Sequence, residues 1–228
     1  YENEIISELE FFFKHQEIAL LVGGSGMYIN AVLKGLDNLP KNLRIREDLN
    51  KKFKKKGIAV LQNELKNLDL AHYKNMDSQN PQRIIRAIEV CLITGRPYSS
   101  FLSNTSKKRS FSNLKFLLFL EKEILYHNIN SRVDNMIKDG LIEEVETLKE
   151  SNNLNALKTV GYKEIFDYLN GEIDKKSAIE KIKTNTKKYS KRQMTWFKKD
   201  PSYQWIDNTN IEKSKKSILK KIKEFKYD

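Results

Sequence analysis

The chain has 228 residues, enough to bury a hydrophobic core, and its 39% hydrophobic and 32% charged residues predict a folded protein with a heavily solvated surface. A formal net charge of +12 favours a polyanionic partner, which is a nucleic acid, an anionic membrane or a phosphorylated ligand. No apolar run approaches the roughly 18 residues of a membrane span, and the single cysteine, Cys91, excludes an internal disulfide framework and fits a reducing compartment.

The first 41 residues predict a helix, a buried strand, a glycine turn and a second helix. Apolar residues at helical spacing predict a helix over residues 2–15. The continuous apolar run Ile18–Val22 predicts a buried parallel strand, and the turn Gly23–Gly26 leads into a helix over 27–35. Because the chain opens at Tyr1 inside a helical pattern, without an initiator Met, we expect an upstream segment to have been lost.

The rest of the chain predicts an all-helical insertion, residues 42–105, within an α/β domain made of 1–41 and 106–228. The insertion contains predicted helices Leu43–Lys56, Ile58–Leu68 and one that begins at Asn80-Pro81 and ends at Gly95. The α/β domain is expected to contain strands at Leu114–Leu120 and Tyr203–Ile206, and helices at about 122–139, 141–150, 162–170, 175–199 and 211–226.

The one-sided charge of helix 175–199 is the strongest functional signal. No acidic residue lies between Glu180 and Asp200, so the usual i,i+4 pairs of opposite charge are missing. At about 100° per residue, one arc is apolar and aromatic, and the opposite half is basic. We expect the first to dock on a core and the second to bind a polyphosphate, rather than to be an ordinary solvated face. The arc comprises Ile182, Tyr189, Gln193, Trp196 and Phe197, and the basic half comprises Lys181, Lys183, Lys187, Lys188, Lys191, Arg192, Lys198 and Lys199.

A second polar group opens the helix that starts at Asn80-Pro81. Gln82, Arg83 and Arg86 lie in its first two turns, where the helix dipole disfavours cations. Arginine beside glutamine suits the recognition of a phosphate or a base edge. On this segment alone, an ion pair of Arg83 or Arg86 with Glu89 or another local carboxylate is an equal alternative.

Two glycine-containing loops suit an anion, but each is a weak signal alone. Gly23–Gly26 lacks the G-x-x-x-x-G-K-[ST] spacing and its lysine, so it is either a turn that approaches a ligand or a plain strand-to-helix turn. Lys158–Lys163 places two cations and a hydroxyl around a glycine at a helix start. The three histidines and Cys91 form no metal-ligand pattern, and neither a serine-hydrolase pattern nor a general base is identifiable.

Five segments, taken in order, resemble the tRNA dimethylallyltransferases over nearly the whole chain. Each segment alone is a modest signal, whereas all five together are specific to that family. They are Leu21-Val22-Gly23-Gly24-Ser25-Gly26-Met27-Tyr28, Asn80-Pro81-Gln82-Arg83-Ile84-Ile85-Arg86-Ala87-Ile88-Glu89-Val90, Thr94-Gly95-Arg96-Pro97, Val160-Gly161-Tyr162-Lys163 and Lys191-Arg192-Gln193-Met194-Thr195-Trp196.

The resemblance implies an α/β fold: a P-loop NTPase-like parallel-sheet core, incomplete here, with an all-helical insertion domain that grips the tRNA anticodon stem-loop. It implies transfer of a dimethylallyl group from dimethylallyl diphosphate to N6 of the adenosine 3′-adjacent to the anticodon, the base being flipped into a channel. It further implies Mg²⁺ bound through the diphosphate, and a monomeric cytoplasmic enzyme with no membrane partner.

Carried onto this chain, the resemblance assigns site residues. Ser25 would line the channel. The segment that contacts the diphosphate or RNA would be Lys158, Thr159, Val160, Gly161, Tyr162 and Lys163. The remaining tRNA contacts would be Arg46, Gln82, Arg83, Ile84, Ile85, Arg86, Lys191, Arg192, Gln193, Met194, Thr195, Trp196, Phe197 and Lys198.

Two departures from the family pattern shape the expectation for activity. The Walker-like loop and the Asp-Ser motif that carries the general base lie upstream of the family's equivalent of Tyr1, and Lys158 and Lys163 stand where arginines are common. We therefore expect no catalytic residue and no metal ligand here, and an inactive fragment that retains salt-sensitive tRNA affinity. The competing hypotheses are a complete, noncatalytic RNA-binding module and a nucleotide-kinase-like P-loop enzyme; the basic helix and the insertion's arginines argue against the second.

Overall fold

The computed structural model describes residues 1–102, 106–152 and 154–226. These residues are mostly helical and form two units, one made of Tyr1–Leu21 with Met27–Phe111, the other of Val22–Gly26 with Ser112–Asp228. None of the helices in these ranges is long and apolar enough to cross a membrane. The boundaries of the predicted domains (1–41 with 106–228, and 42–105) differ from those of these two units, and the domains stay a prediction. Residues 103–105, 153, 227 and 228 of the predicted domains lie outside the described part.

The first unit is built from helices. A core of aliphatic side chains joins the third, fourth and sixth of them, with Ile84, Ile85 and Ile88 packed against Leu61 and Leu65. Burial of such side chains stabilises the unit by roughly 1.5–3 kcal/mol each. The helices are α1 (Glu2–Phe12), α2 (Gly26–Leu33), α3 (Leu43–Lys56), α4 (Ile58–Leu68), α5 (Leu70–Asn75) and α6 (Pro81–Thr94), followed by a 3₁₀ turn at Tyr98–Phe101.

Side-chain caps explain where these helices begin. The Asn42 side chain accepts from the Ile45 N–H at 3.2 Å, and the Asn80 side chain accepts from the Gln82 N–H at 3.1 Å. Pro81 occupies the first turn of α6, and Gly95 ends α6 in the left-handed conformation. Helix α5, which the sequence did not predict, is only six residues long and begins where the buried Asp69 caps the His72 N–H at 2.9 Å.

The second unit contains a two-stranded parallel sheet with helices around it. Strand β1 (Lys115–Phe119) pairs with β2 (Tyr203–Asp207) from Lys115↔Tyr203 to Phe119↔Asp207. Both strands were predicted, and their parallel pairing requires the helical crossover that separates them. The helices are α7 (Lys122–Lys138), α8 (Leu141–Thr147), α9 (Tyr162–Leu169), α10 (Lys175–Phe197) and α11 (Ile211–Lys226), with 3₁₀ turns at Lys149–Ser151 and Asn155–Lys158. A core formed by α7, α8, α9 and α10 includes Val133, Val145, Ile165 and Ile182.

The prediction of a buried strand at Ile18–Val22 is wrong. The segment has no strand pairing in the structure, and Leu20 and Val22 are each 82% exposed. A strand exists only as part of a ladder, and within the described residues β1 and β2 pair with each other alone. An apolar run is typical of a buried strand, but this segment forms no ladder and is exposed.

Glu2 fastens the start of α1 to the chain that returns from the helices of the first unit. Its carboxylate accepts from Lys107 at 2.9 Å, from Arg109 at 2.8 Å and from the Leu36 N–H at 2.8 Å. Burial by itself would raise the pKa of Glu2, but these hydrogen bonds, above all the one from Arg109, outweigh it and lower the pKa from 4.5 to about 2. The ionised carboxylate is therefore the form that holds the segments together.

We predict that Glu2→Gln lowers the free energy of unfolding by roughly 2 kcal/mol at pH 7, because it removes charge-assisted hydrogen bonds. Since the folded-state pKa is depressed, the stabilisation is present above pH 4.5 and is lost as the pH falls towards about 2. Thermal unfolding at several pH values should show the difference between wild type and variant shrinking across that window. Glu8→Gln on the exposed side of α1 is the matched control; a constant difference from pH 7 to pH 2 would contradict the assignment.

Candidate nucleic-acid interface

The glycine loop Gly23–Gly26 lies against the C-terminal half of α10. The Gln193 side-chain amide donates to the Gly24 carbonyl oxygen at 2.9 Å. A Cβ atom on Gly24 would lie 2.1 Å from the Gln193 amide nitrogen, and one on Gly26 would lie 2.1 Å from the Trp196 indole nitrogen. At Gly26 the rigid Trp196 ring leaves room for only a hydrogen, whereas at Gly24 a Cβ atom would displace the flexible end of Gln193. The half-buried Ser25 lies between these two contacts.

Two segments that the sequence singled out separately thus meet in the second unit. Ser25 and the Gln193–Trp196 part of α10 were both predicted to contact tRNA, and the structure brings them together. Trp196 is 41% exposed and Tyr189 43% exposed, so the buried side of α10 is narrower than the predicted arc. Only Ala178, Ile182 and Phe197 of α10 are buried.

The predicted basic face of α10 is largely available to a ligand. Lys181, Lys188, Lys191 and Arg192 are exposed, and none forms an ion pair with another residue of the described ranges. The Arg192 guanidinium lies 5.7 Å from the centre of the Tyr189 ring, and no carboxylate of the described residues forms an ion pair with it. Such unpaired cations suit a phosphate backbone.

Among the eight predicted basic residues, Lys183 is ion-paired and Lys187 is half-buried. Lys183 is 14% exposed and contacts Asp134 of α7 at 2.8 Å and Glu180 at 3.3 Å. The hydrogen bond to Asp134 raises the pKa of Lys183, so this lysine stays charged as part of the packing between α7 and α10. Lys187 is half-buried over the Tyr126 ring at 5.4 Å. The expectation of a fully uncompensated face is wrong at Lys183.

The loop Lys158–Lys163 is basic, and its backbone is fixed at Gly161. Lys158, Thr159, Val160 and Lys163 are exposed. Gly161 has φ 105° and ψ −66°, a region that only glycine enters readily. Its N–H donates to the buried Glu164 carboxylate at 2.8 Å. The Tyr162 hydroxyl donates to Glu144, so Tyr162 is turned towards α8.

In the first unit, the arginines of α3 and α6 converge on a buried carboxylate, Glu89. Arg46 and Arg86 contact the same Glu89 oxygen at 2.5 and 2.9 Å, and the Asn42 N–H donates to the other oxygen at 2.9 Å. Burial by itself would raise the pKa of Glu89, but the hydrogen bonds from Arg46, the Asn42 N–H and Arg86 hold it below its usual value. Arg86 also donates to the carbonyl oxygens of Leu39 and Pro40.

The first turns of α6 therefore separate into exposed and internal positions. Gln82 and Arg83 are exposed, and within the described part of the chain the ion pair of Arg83 is a 4.0 Å contact with Asp77. For Arg86 the alternative stated from sequence, pairing with Glu89, is the one that the structure has.

Three residues predicted to contact tRNA have buried side chains. Ile84 and Ile85 are at most 1% exposed and belong to the core of the first unit. Phe197 is 5% exposed and packs edge-on against the Tyr203 ring at 5.2 Å. Each supports a helix whose other side is exposed, and their contact with tRNA stays a prediction.

Sequence reasoning missed three polar residues that hold α9 and α7 to α10, namely the buried Glu164, the half-buried Asn185 and the exposed Asp134. The Asn185 side-chain amide of α10 donates to the Glu164 carboxylate of α9, and Asp134 of α7 forms an ion pair with Lys183. A glutamate three residues after a glycine at a helix start is a capping signal that identifies Glu164 in retrospect. Among the described residues, no group of three or more His, Cys, Asp or Glu side chains is arranged to hold a metal ion.

Comparison with known proteins points to one family. A family model described as IPP transferase matches residues 1–200. The tRNA dimethylallyltransferase of Christiangramia forsetii is 46% identical over 208 residues, which are 91% of this chain and 69% of that protein. The tRNA dimethylallyltransferase 1 of Bacteroides fragilis is 47% identical over 207 residues, which are 90% of this chain and 69% of that protein.

Solved structures show the same fold. The full-length tRNA isopentenylpyrophosphate transferase of Bacillus halodurans matches with a TM-score of 0.63 at 29% identity, covering 97% of this chain and 71% of that one. A eukaryotic dimethylallyltransferase acting on tRNA matches with a TM-score of 0.71 over 92% of this chain and 56% of that one; at 22% identity this likeness concerns the fold alone. The predicted fold class, a P-loop-like α/β core with a helical domain, is confirmed.

We predict that Gly26→Ala displaces the Trp196 indole and lowers the free energy of unfolding by about 1–2 kcal/mol, because a rigid ring cannot yield to a Cβ atom. Gly24→Ala should cost less, since the flexible end of Gln193 can move. Tryptophan emission in a Trp205→Phe background, with thermal unfolding, measures both effects. Gly23→Ala is the control, because a Cβ there meets nothing within 4 Å; equal behaviour of all three variants would contradict the contact.

Proposed function

Because this chain belongs to the IPP transferase family, we propose that it serves the transfer of a dimethylallyl group from dimethylallyl diphosphate to N6 of the adenosine 3′-adjacent to the anticodon of tRNA. The observation that carries the proposal is the exposed, unpaired basic face of α10 beside the glycine loop that α10 holds. A base that is modified at N6 must leave its stack, so the enzyme has to grip the flanking phosphates.

The second unit supplies most of the proposed RNA contacts. Lys191 and Arg192 lie close in sequence to Gln193, whose amide holds the Gly24 carbonyl. An RNA backbone bound along α10 would therefore pass beside Ser25, the residue proposed to line the channel for the base. Lys158 and Lys163 would add phosphate contacts as point charges, without the bidentate geometry that arginine offers.

The first unit is proposed to contribute through Gln82 and Arg83. Both are exposed at the start of α6, and among the described residues the one ion pair that Arg83 would lose is the 4.0 Å contact with Asp77. Arg46 and Arg86 act differently in this proposal: with Glu89 they fix the start of α3 and the first turns of α6, so that Gln82 and Arg83 are presented rigidly.

The donor side of the reaction is not assigned to residues of this chain. No G-x-x-x-x-G-K-[ST] loop occurs in the 228 residues. The family reaction uses Mg²⁺ to neutralise the diphosphate, but no carboxylate cluster among the described residues fits that ion, so we assign it no ligand. We propose that the 228 residues bind RNA and do not transfer the prenyl group by themselves.

The proposed function is tested by incubating radiolabelled dimethylallyl diphosphate and Mg²⁺ with an anticodon stem-loop RNA that carries adenosine 3′ to the anticodon. We expect RNA binding without label with the 228-residue chain, and label in the RNA with the tRNA dimethylallyltransferase of Christiangramia forsetii as the positive control. An RNA with guanosine at that position is the control for the substrate. Label in the RNA with the 228-residue chain would contradict the proposal that these residues do not transfer the prenyl group, and absence of binding would contradict the proposed interface.

We predict that Arg83→Gln and Arg86→Gln separate binding from stability. Arg83→Gln should weaken stem-loop binding about threefold to tenfold and leave the thermal midpoint unchanged, because it removes one exposed phosphate contact. Arg86→Gln should lower the free energy of unfolding by about 2–4 kcal/mol, since Glu89 is fully buried and loses a charged partner. Fluorescence anisotropy and thermal unfolding measure the two quantities.

The control for this pair is Lys14→Gln, which removes one exposed charge beyond the end of α1. Unchanged RNA affinity of Arg83→Gln would remove α6 from the interface. A fully stable Arg86→Gln variant would contradict the structural role given to Arg86.

A further inference from the structure

Glu164 is a buried acidic residue beside the basic interface, and no Lys or Arg of the described residues forms an ion pair with it. It is 3% exposed, in the first turn of α9. One carboxylate oxygen accepts from the Gly161 N–H at 2.8 Å, and the other accepts from the Asn185 side-chain amide at 2.7 Å. A buried carboxylate requires such donors, because an unsatisfied one is costly. Here both donors are neutral groups.

The two hydrogen bonds join the loop Lys158–Gly161 to α10. Gly161 ends that loop in a conformation with φ 105°, so its N–H direction is set by the backbone and then held by Glu164. Asn185 is half-buried in the middle of α10, on the side that packs against α9. This side-chain bridge therefore links the loop to α10, beside the packing of Leu157 and Tyr162 on the core of the second unit.

Asn185 lies among the exposed cations of α10. Lys181 is four residues before it and Lys188 three residues after it, so each is about one turn away on the same side of the helix. Arg192 is seven residues after it, two turns along the same side. A lysine in place of Asn185 would form an ion pair with Glu164 and bring a second charge into the interior. The neutral amide of Asn185 satisfies Glu164 and leaves the neighbouring cations unpaired.

We infer that Glu164 and Asn185 are positioning residues that hold the loop Lys158–Gly161 on α10, so that the loop and the cations of α10 form one phosphate-binding surface. This inference rests on the proposed function. It assigns part of the RNA affinity of the chain to two residues that do not contact RNA themselves. The bridge acts through geometry, since neither residue supplies positive charge and Glu164 opposes an anionic ligand.

The sign of the effect separates geometry from electrostatics. Glu164→Ala removes a negative charge, so charge alone would strengthen binding to an anticodon stem-loop RNA; the bridge predicts binding about tenfold weaker. Asn185→Ala changes no charge and should weaken binding about fivefold. Glu172→Ala, an equal charge change just beyond α9, and Thr184→Ala, the exposed neighbour of Asn185 on α10, are the matched controls and should stay within about twofold of wild type.

Glu164→Gln is the conservative variant that should restore binding. Its amide oxygen can accept from the Gly161 N–H, and its amide N–H can donate to the Asn185 side-chain oxygen, so both hydrogen bonds persist. Hydrogen exchange of the Gly161 amide should be fast in Glu164→Ala and slow in Glu164→Gln. Because Glu164→Gln keeps the side-chain volume and Asn185 is only half-buried, Glu164→Gln and Asn185→Ala report even if Glu164→Ala fails to fold.

The inference is overturned if Glu164→Ala binds RNA as tightly as Glu172→Ala, or if Asn185→Ala binds like Thr184→Ala. Absence of stem-loop binding by the wild-type chain would instead refute the proposed interface, and with it the RNA part of the inference. Exchange at Gly161 still tests the bridge in that case, because that measurement uses no RNA.

Discussion

The structure depends on where a strongly basic chain puts its few inward-facing carboxylates. The net charge is +12, so the basic side chains of the chain repel one another. Acidic side chains lie at the points where segments join. Glu2 joins α1 to the returning chain, Glu89 joins α3 to α6, and Glu164 joins a loop to α10. Each accepts at least two hydrogen bonds, which is the condition under which a buried carboxylate stabilises rather than destabilises.

Most of the helices could be predicted from local sequence. The predictions failed where the structure depends on contacts between residues far apart in the sequence. Helices α3 and α4 follow from periodicity and from caps such as Asn42, all of which lie within a few residues of each other. The run Ile18–Val22 has the composition of a strand, but a strand needs a partner that its own sequence cannot specify. Helix α5 was missed for the same reason: its capping residue Asp69 is also held by the Ser99 N–H, 30 positions away.

The candidate site could be predicted as a set of charged segments but not as a set of free and engaged side chains. Periodicity placed Lys183 and Lys188 on the same basic half of α10, yet Asp134 of another helix pairs with only one of them. Arg83 and Arg86 differ by a single turn of α6, and Glu89 engages only Arg86. Which cation is neutralised depends on helix packing, and one sequence carries no direct record of that packing.

The cations of α10 that form no ion pair within the described residues repel one another and destabilise the free helix. Lys188 and Arg192 are four residues apart, as are Lys187 and Lys191, and like charges at that spacing destabilise a helix by about 0.2–0.5 kcal/mol per pair. Acidic residues at intervening positions would remove this repulsion, and the chain uses its acidic side chains elsewhere. Repulsion of this kind is relieved when a polyanion binds, so the same residues that weaken the free helix add to the affinity for its ligand. The neutral partner of Glu164 preserves that arrangement, because it satisfies a buried acid without consuming any of these cations.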